Sequence, residues 1–217
     1  VLLAERFIPG TICAALLTAM PYILSGFIHL DGYMDCADAV LSRRDLETRR
    51  KILKDSHIGS FAAVALVILF LTEYSAFAGY DLGRKVWLLP LVCAGPRALC
   101  SCCVLGYEPI PGSSYERMFS GGVPLRAKYC AMAVLAAVVV LPPVFLGVNG
   151  LCSAVGALGA FLTIAYIRYD LGGMSGDVSG AGTTGGGSNQ QGLTPPAEKT
   201  THMEETGTGD GAAAPRA

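Results

Sequence analysis

The sequence predicts an all-α, polytopic transmembrane helix bundle with about five spans and a disordered C-terminal tail, and three observations carry that expectation. Of 217 residues, 52% are hydrophobic and 15% are charged, and the mean hydropathy is +0.49. The scarce charges are clustered: residues 129–167 contain no Asp, Glu, Lys, Arg or His, and residues 58–80 contain Glu73 alone. A bilayer core about 30 Å thick needs roughly 20 apolar residues per helical crossing, so both stretches are long enough to span it. A soluble globular protein is thereby excluded as the leading reading. So is a nucleic-acid binder driven by basic charge, because 16 Lys and Arg against 17 Asp and Glu leave a net charge of −1.

Apolar segments fall at residues 8–30, 58–80, 86–106, 129–148 and 151–167. The last two are split by Pro142-Pro143 and the Asn149-Gly150 turn signal, which predicts a helical hairpin. The chain opens on Val1 with no basic n-region before the first apolar stretch, so no signal peptide is visible and it reads as N-terminally incomplete. Residues 1–182 form the membrane-embedded domain. From 183 to 217 the composition shifts to Gly, Thr, Pro, Gln and Ala, too poor in large apolar residues to offset chain entropy, which predicts a disordered low-complexity tail. Eight cysteines lie mostly inside apolar stretches. The one CxxC spacing, Cys100 to Cys103, has no second pair to complete a zinc site, so these read as small buried residues.

Orientation follows from Lys and Arg. Residues 42–55 carry Arg43, Arg44, Arg49, Arg50, Lys51 and Lys54; Arg117, Arg126 and Lys128 precede the fourth segment, and Arg168 follows the fifth. The positive-inside rule makes that face cytoplasmic, with Arg84 and Lys85 dissenting mildly on the other side. A multi-pass protein of the cell (inner or plasma) membrane is expected, with its chemistry on the cytoplasmic face.

The strongest constellation is His29-Leu30-Asp31-Gly32-Tyr33-Met34-Asp35-Cys36-Ala37-Asp38. On a helix Asp31, Asp35 and Asp38 are spaced i, i+4 and i+7, which puts three carboxylates on one face about 5–6 Å apart at Cβ. Adjacent anions repel, so such a stripe needs a cation, and hard oxygens without thiolates favour Mg²⁺. A solvated acidic helix end, or caps and ion pairs to the following arginines, is the bland alternative. His29 lies on the opposite side of a continuous helix unless Gly32 unwinds it; an interfacial packing role is the equal alternative.

A second region runs through Arg43-Arg44-Asp45 to Lys51-Ile52-Leu53-Lys54-Asp55-Ser56-His57-Ile58-Gly59. Arg49 and Arg50 read as anchors on anionic lipid, whereas Arg43, Lys51 and Lys54 are candidates to hold phosphate oxygens opposite the carboxylates. Asp55 either adds a fourth carboxylate or pairs with Lys51. The third region is Leu171-Gly172-Gly173-Met174-Ser175-Gly176-Asp177-Val178-Ser179-Gly180-Ala181, where glycines permit an anion nest and Asp177 faces a metal or caps a helix. Arg97 inside an apolar segment must snorkel, pair or line a cavity, with Glu73 a candidate partner.

These three regions resemble the cobalamin synthase family, the adenosylcobinamide-GDP ribazoletransferases, whose pattern is an HLDGLADxxD-like segment, then KDSRxG-like and LGGxTGDxLGA-like segments. The resemblance covers roughly residues 11–181. His57 stands where that pattern usually has Arg, Ser175 where it has Thr, and Ser179 where it has an apolar residue. The resemblance implies a membrane enzyme, with residues 1–182 as its catalytic domain, that joins adenosylcobinamide-GDP to α-ribazole or α-ribazole 5′-phosphate with release of GMP and a need for Mg²⁺. It places His29, Asp31, Asp35, Asp38, Lys54 and Asp55 in catalysis, Arg43, Ser56, Gly173, Gly176 and Gly180 on substrate, and Asp31, Asp35, Asp38 and Asp177 on the metal. A CDP-alcohol phosphotransferase is a rival, but its DGxxAR segment lacks a match after Gly32. A cation transporter is the other rival, disfavoured because the acids gather at one face.

Overall fold

The computed structural model describes residues 9–79 and 89–191. Arg84 and Lys85, and residues 192–217 of the expected tail, lie outside the described residues. Helix α1 (Gly10–Leu24) is followed by α2 (Ile28–Leu41), α3 (Leu46–Ile52), α4 (Ser60–Ala78), α5 (Leu89–Gly106), α6 (Ser114–Met118), α7 (Leu125–Leu146), α8 (Leu151–Leu171) and α9 (Gly176–Gln191). Among the described residues there is no strand; one parallel backbone pairing joins Pro109 to Met174. The all-α class is as expected.

The expected first span, 8–30, is broken. Gly26 and Phe27 adopt left-handed φ of 62° and 63°, and α2 leaves α1 at 92°. Among the described residues two stretches are long and apolar enough to cross a membrane, Ser60–Ala78 and Leu125–Leu171, or three if the bent pair counts as one, with the shorter apolar helix α5 in addition, against about five spans expected for the whole chain. The longer stretch folds as the expected hairpin. Pro142 and Pro143 stay inside α7, and the chain reverses in a single 3₁₀ turn, Gly147–Gly150. Reversal seats the Ser153 hydroxyl 2.8 Å from the Val138 carbonyl, to which it donates. None of the hairpin's most apolar window is buried, and Val67, Ile68, Leu71, Val144 and Phe145 are all more than half exposed. Such faces are costly in water and suit lipid.

The core forms where α2, α5, α8 and α9 meet. It is built of Cys36, Ala39, Cys100, Cys103, Ala160, Ile164, Leu171, Met174, Val178 and Ala181. Cys100 and Cys103 are thus small buried residues, and no disulfide joins any of the eight cysteines.

The tail expectation needs a correction. Residues 183–191 continue α9, and Thr183 and Thr184 are buried. Six of the sixteen residues of α9 are glycine, each about 1 kcal/mol poorer than Ala in a free helix. Close packing supplies what propensity lacks. A Cβ at Gly180 would sit 3.1 Å from the His29 carbonyl oxygen, and one at Gly186 2.6 Å from that of Gly156. Small residues that let backbones approach are the usual solution for helices packed within lipid.

Candidate active site

The first two motifs meet in one cleft of about 270 Å³, lined by Asp31, Asp35 and Asp38 from α2 and by Lys54, Asp55, Ser56 and His57 from the loop before α4. Asp38 creates the meeting. Its Oδ2 accepts the Gly59 N–H at 2.6 Å and its Oδ1 the Ala62 N–H at 2.9 Å. These are the orphan donors at the N-terminus of α4, where a carboxylate also complements the helix dipole. A side chain at position 59 would overlap the Asp38 carboxylate. Asp38 therefore differs from the expectation: both its oxygens are engaged in docking α4, whereas the Asp31 and Asp35 carboxylates line the cleft with no hydrogen bond or ion pair among the described residues.

Asp177 arrives from the first turn of α9. A Cβ at Gly32 would lie 2.7 Å from the Asp177 Cα, so α2 and α9 touch backbone to backbone beside the aspartates. Burial pushes the Asp177 carboxyl above its usual range; a hydrogen bond donated by Ser175 opposes this, and the Asp31 carboxylate adds to it. Asp31, Asp38 and Asp177 all act electrostatically on Asp35. Among the described residues no three His, Cys, Asp or Glu converge into a ready-made metal cage. Mg²⁺ needs none, because it typically takes one or two carboxylates and completes its octahedron with water and substrate phosphate. Adjacent hard oxygens at the edge of a cleft fit that ion.

The other candidates separate into those at the cleft and those elsewhere. The Lys54 ammonium lines it and donates to the Gly112 carbonyl at 3.4 Å. Asp55 pairs with His57, Nδ1 to Oδ1 at 2.6 Å, while Lys51 pairs with Glu47 at 2.8 Å. Arg43 is exposed, has a left-handed φ of 50° and is not part of the cleft wall. His29 is a correction: α2 runs unbroken through Gly32, so His29 faces away into a cavity of about 40 Å³ with Glu73 and Arg97. There Glu73 accepts from the Tyr22 hydroxyl at 2.7 Å and from Ser188 at 3.1 Å, and Arg97 donates to the Cys93 carbonyl instead of pairing with Glu73.

Arg49 and Arg50 are further corrections. Arg49 binds Asp170 at 2.9 Å, and Arg50 donates from Nε to the Leu171 carbonyl at 3.0 Å; both tie α3 to the end of α8 instead of reaching lipid. The expected nest is closed as well. A Cβ at Gly173 would come within 3.0 Å of the Ile110 backbone, Ile110 N–H donates to the Met174 carbonyl at 2.8 Å, and Met174 N–H to the Glu108 carbonyl at 2.9 Å. Gly173 and Gly180 thus serve packing, while Gly176 opens α9 beside the Tyr115 ring. Sequence reasoning read the 106–128 connector only as a basic loop on the cytoplasmic face. Its residues 108–110 hold the third motif in place, and only their juxtaposition in space reveals it.

Comparison with known proteins bears on this arrangement. The family described as Cobalamin-5-phosphate synthase matches residues 1–186. A Clostridium perfringens (strain 13 / Type A) protein named adenosylcobinamide-GDP ribazoletransferase is 34% identical over 181 residues, covering 82% of this chain and 72% of the relative. Proteins of the same name from Clostridium botulinum (strain Alaska E43 / Type E3) and Halalkalibacterium halodurans are 31% identical over 169 residues (77% of this chain, 67% of the relative) and 43% over 97 (42% and 36%). No solved structure matches. With the family pattern spanning both motifs of the cleft and the start of α9, the chain belongs to the Cobalamin-5-phosphate synthase family.

Proposed function

We propose that the chain performs the transfer for which its relatives are named: it joins adenosylcobinamide-GDP to α-ribazole or α-ribazole 5′-phosphate and releases GMP, forming adenosylcobalamin or its 5′-phosphate. The observation that carries this reading is the single cleft that gathers Asp31 and Asp35 with Lys54 and Ser56. Asp35 and Asp177, with Asp31 beside them, are the residues to hold Mg²⁺. When bound, the ion supplies charge compensation for pyrophosphate oxygens. Lys54 turns from the Gly112 carbonyl to a phosphate oxygen, and the Ser56 hydroxyl donates to another. A ribose hydroxyl of the acceptor that is free in both α-ribazole and its 5′-phosphate attacks the phosphorus on the cobinamide side, its proton passes to Asp31, and the bond to GMP breaks. Asp38 is a positioning residue, which holds the Lys54 to Ser56 loop over the acids. The cleft belongs on the cytoplasmic face of the cell membrane, where the basic connectors gather.

The test measures GMP release from adenosylcobinamide-GDP with and without α-ribazole. Asp35→Asn should lower Mg²⁺-dependent release on the order of 100-fold or more. Undiminished release sinks the assignment of Asp35, and release that does not depend on α-ribazole sinks the transfer itself.

A further inference from the structure

A second cleft, of about 220 Å³, lies under the 106–128 connector and is lined by Tyr107, Glu108, Tyr115, Phe119, Lys128 and Met174, among others. It adjoins the aspartates. Met174 is three residues before Asp177, a ring carbon of Tyr115 lies 3.9 Å from the Cβ position of Gly176, and the Asp177 carboxylate acts electrostatically on Tyr115. Tyr115 and Phe119 meet edge to face, 6.0 Å between centroids and 79° between planes, so the cleft has an aromatic wall. Among the described residues neither the Glu108 carboxylate nor the Lys128 ammonium has an ion-pair partner.

From these groups we infer that the cleft seats the guanine base of the nucleotide substrate, an assignment that rests on the proposed transfer. A carboxylate accepts from two adjacent N–H donors, an ammonium donates to an oxygen, and an aromatic wall stacks a planar ring. Guanine offers all three complements: N1–H and N2–H donors beside the O6 acceptor. Adenine reverses that edge. The benzimidazole of the acceptor carries no exocyclic donor and would leave Glu108 unused. Seated there, guanosine places its phosphates toward Asp177 and the cleft of the first two motifs.

The test uses the full chain in detergent, with GMP, IMP and AMP as competitors of adenosylcobinamide-GDP and inorganic pyrophosphate as a control. GMP should compete on the order of tenfold better than IMP, which lacks the N2 amino group, and AMP should compete less well than IMP. Glu108→Ala should abolish the preference for GMP over IMP while pyrophosphate inhibits variant and parent alike, and Tyr115→Leu should weaken GMP and IMP together. An unchanged GMP-to-IMP ratio in Glu108→Ala overturns the assignment. A raised KM for α-ribazole with GMP competition intact overturns it too, because the acceptor would then occupy the cleft. Should Glu108→Ala fail to fold, Glu108→Gln is judged by the same ratio, which misfolding does not alter. The two readings fail separately: a parent enzyme that binds GMP through Glu108 but transfers nothing refutes only the reaction.

Discussion

Asp38 and Gly59 form one device in two motifs. Its carboxylate takes two amides at the start of α4, and the missing side chain at Gly59 leaves room for it. Asp38→Ala should cost about 2–3 kcal/mol, since charged acceptors and caps contribute at that level. Gly59→Ala should cost a similar amount, and the double variant little more than either alone, read as a non-additive cycle in thermal unfolding in detergent. Additive losses would show that the two residues act apart. A pH effect arises next door at His57. Its hydrogen bond to Asp55, and then the Asp55 charge, raise the imidazole pKa above 6.5. Because the folded value is raised, the contact contributes fully below about 6.5 and is lost as pH rises through the higher folded value. NMR titration should place His57 above 6.5 and show Asp55→Asn returning it toward that figure. The i, i+4, i+7 spacing made the acidic stripe legible in the sequence, but three equal carboxylates in a pattern are unequal in space. Which one meets the end of another helix depends on a contact 21 residues away.

At the scale of elements, α4 and the α7–α8 hairpin were legible because an unbroken apolar run of that length has one stable solution in lipid. The break at Gly26 and Phe27 was not, since nothing in the local pattern demands a left-handed Phe. Helix α9 was hidden for a different reason: composition rules weigh glycine against water, where it costs entropy, and here the glycines are contact surfaces. Neighbouring positions should therefore respond in opposite directions. A Cβ at Gly187 meets nothing within 4 Å, whereas one at Gly186 meets the Gly156 carbonyl oxygen at 2.6 Å. Gly187→Ala should stabilise by about 0.5–1 kcal/mol through helix propensity. Gly186→Ala should destabilise by about 1–3 kcal/mol through overpacking against backbone that cannot move aside. Thermal unfolding of the two variants in one detergent decides it, and equal shifts of the same sign would contradict the packing of α9 on α8.

Over the whole molecule, the candidate site residues are held together by tertiary ties, and two of the basic residues that the sequence reads as lipid anchors, Arg49 and Arg50, supply some of them. Arg49 pairs with Asp170 while both side chains are less than a quarter exposed, and Arg50 holds the Leu171 and Gly172 carbonyls. These contacts fasten α3, and through it the loop bearing Lys54 and Ser56, to the end of α8 from which the chain enters the third motif. On the proposed transfer, loosening them should weaken substrate binding before it slows chemistry, because the residues that lose support are those proposed to hold phosphate oxygens while Asp31 and Asp35 stay on α2. Asp170→Ala should raise KM for adenosylcobinamide-GDP more than it lowers kcat. A cycle of Arg49→Ala and Asp170→Ala should give a coupling of about 1 kcal/mol in unfolding, the upper end for a partly exposed pair. Lipid anchoring predicts otherwise: Asp170→Ala would be silent, and the effect of Arg49→Ala would scale with the anionic lipid content of the vesicles. Assaying both variants in neutral and anionic vesicles separates a tie within the protein from an anchor to the membrane.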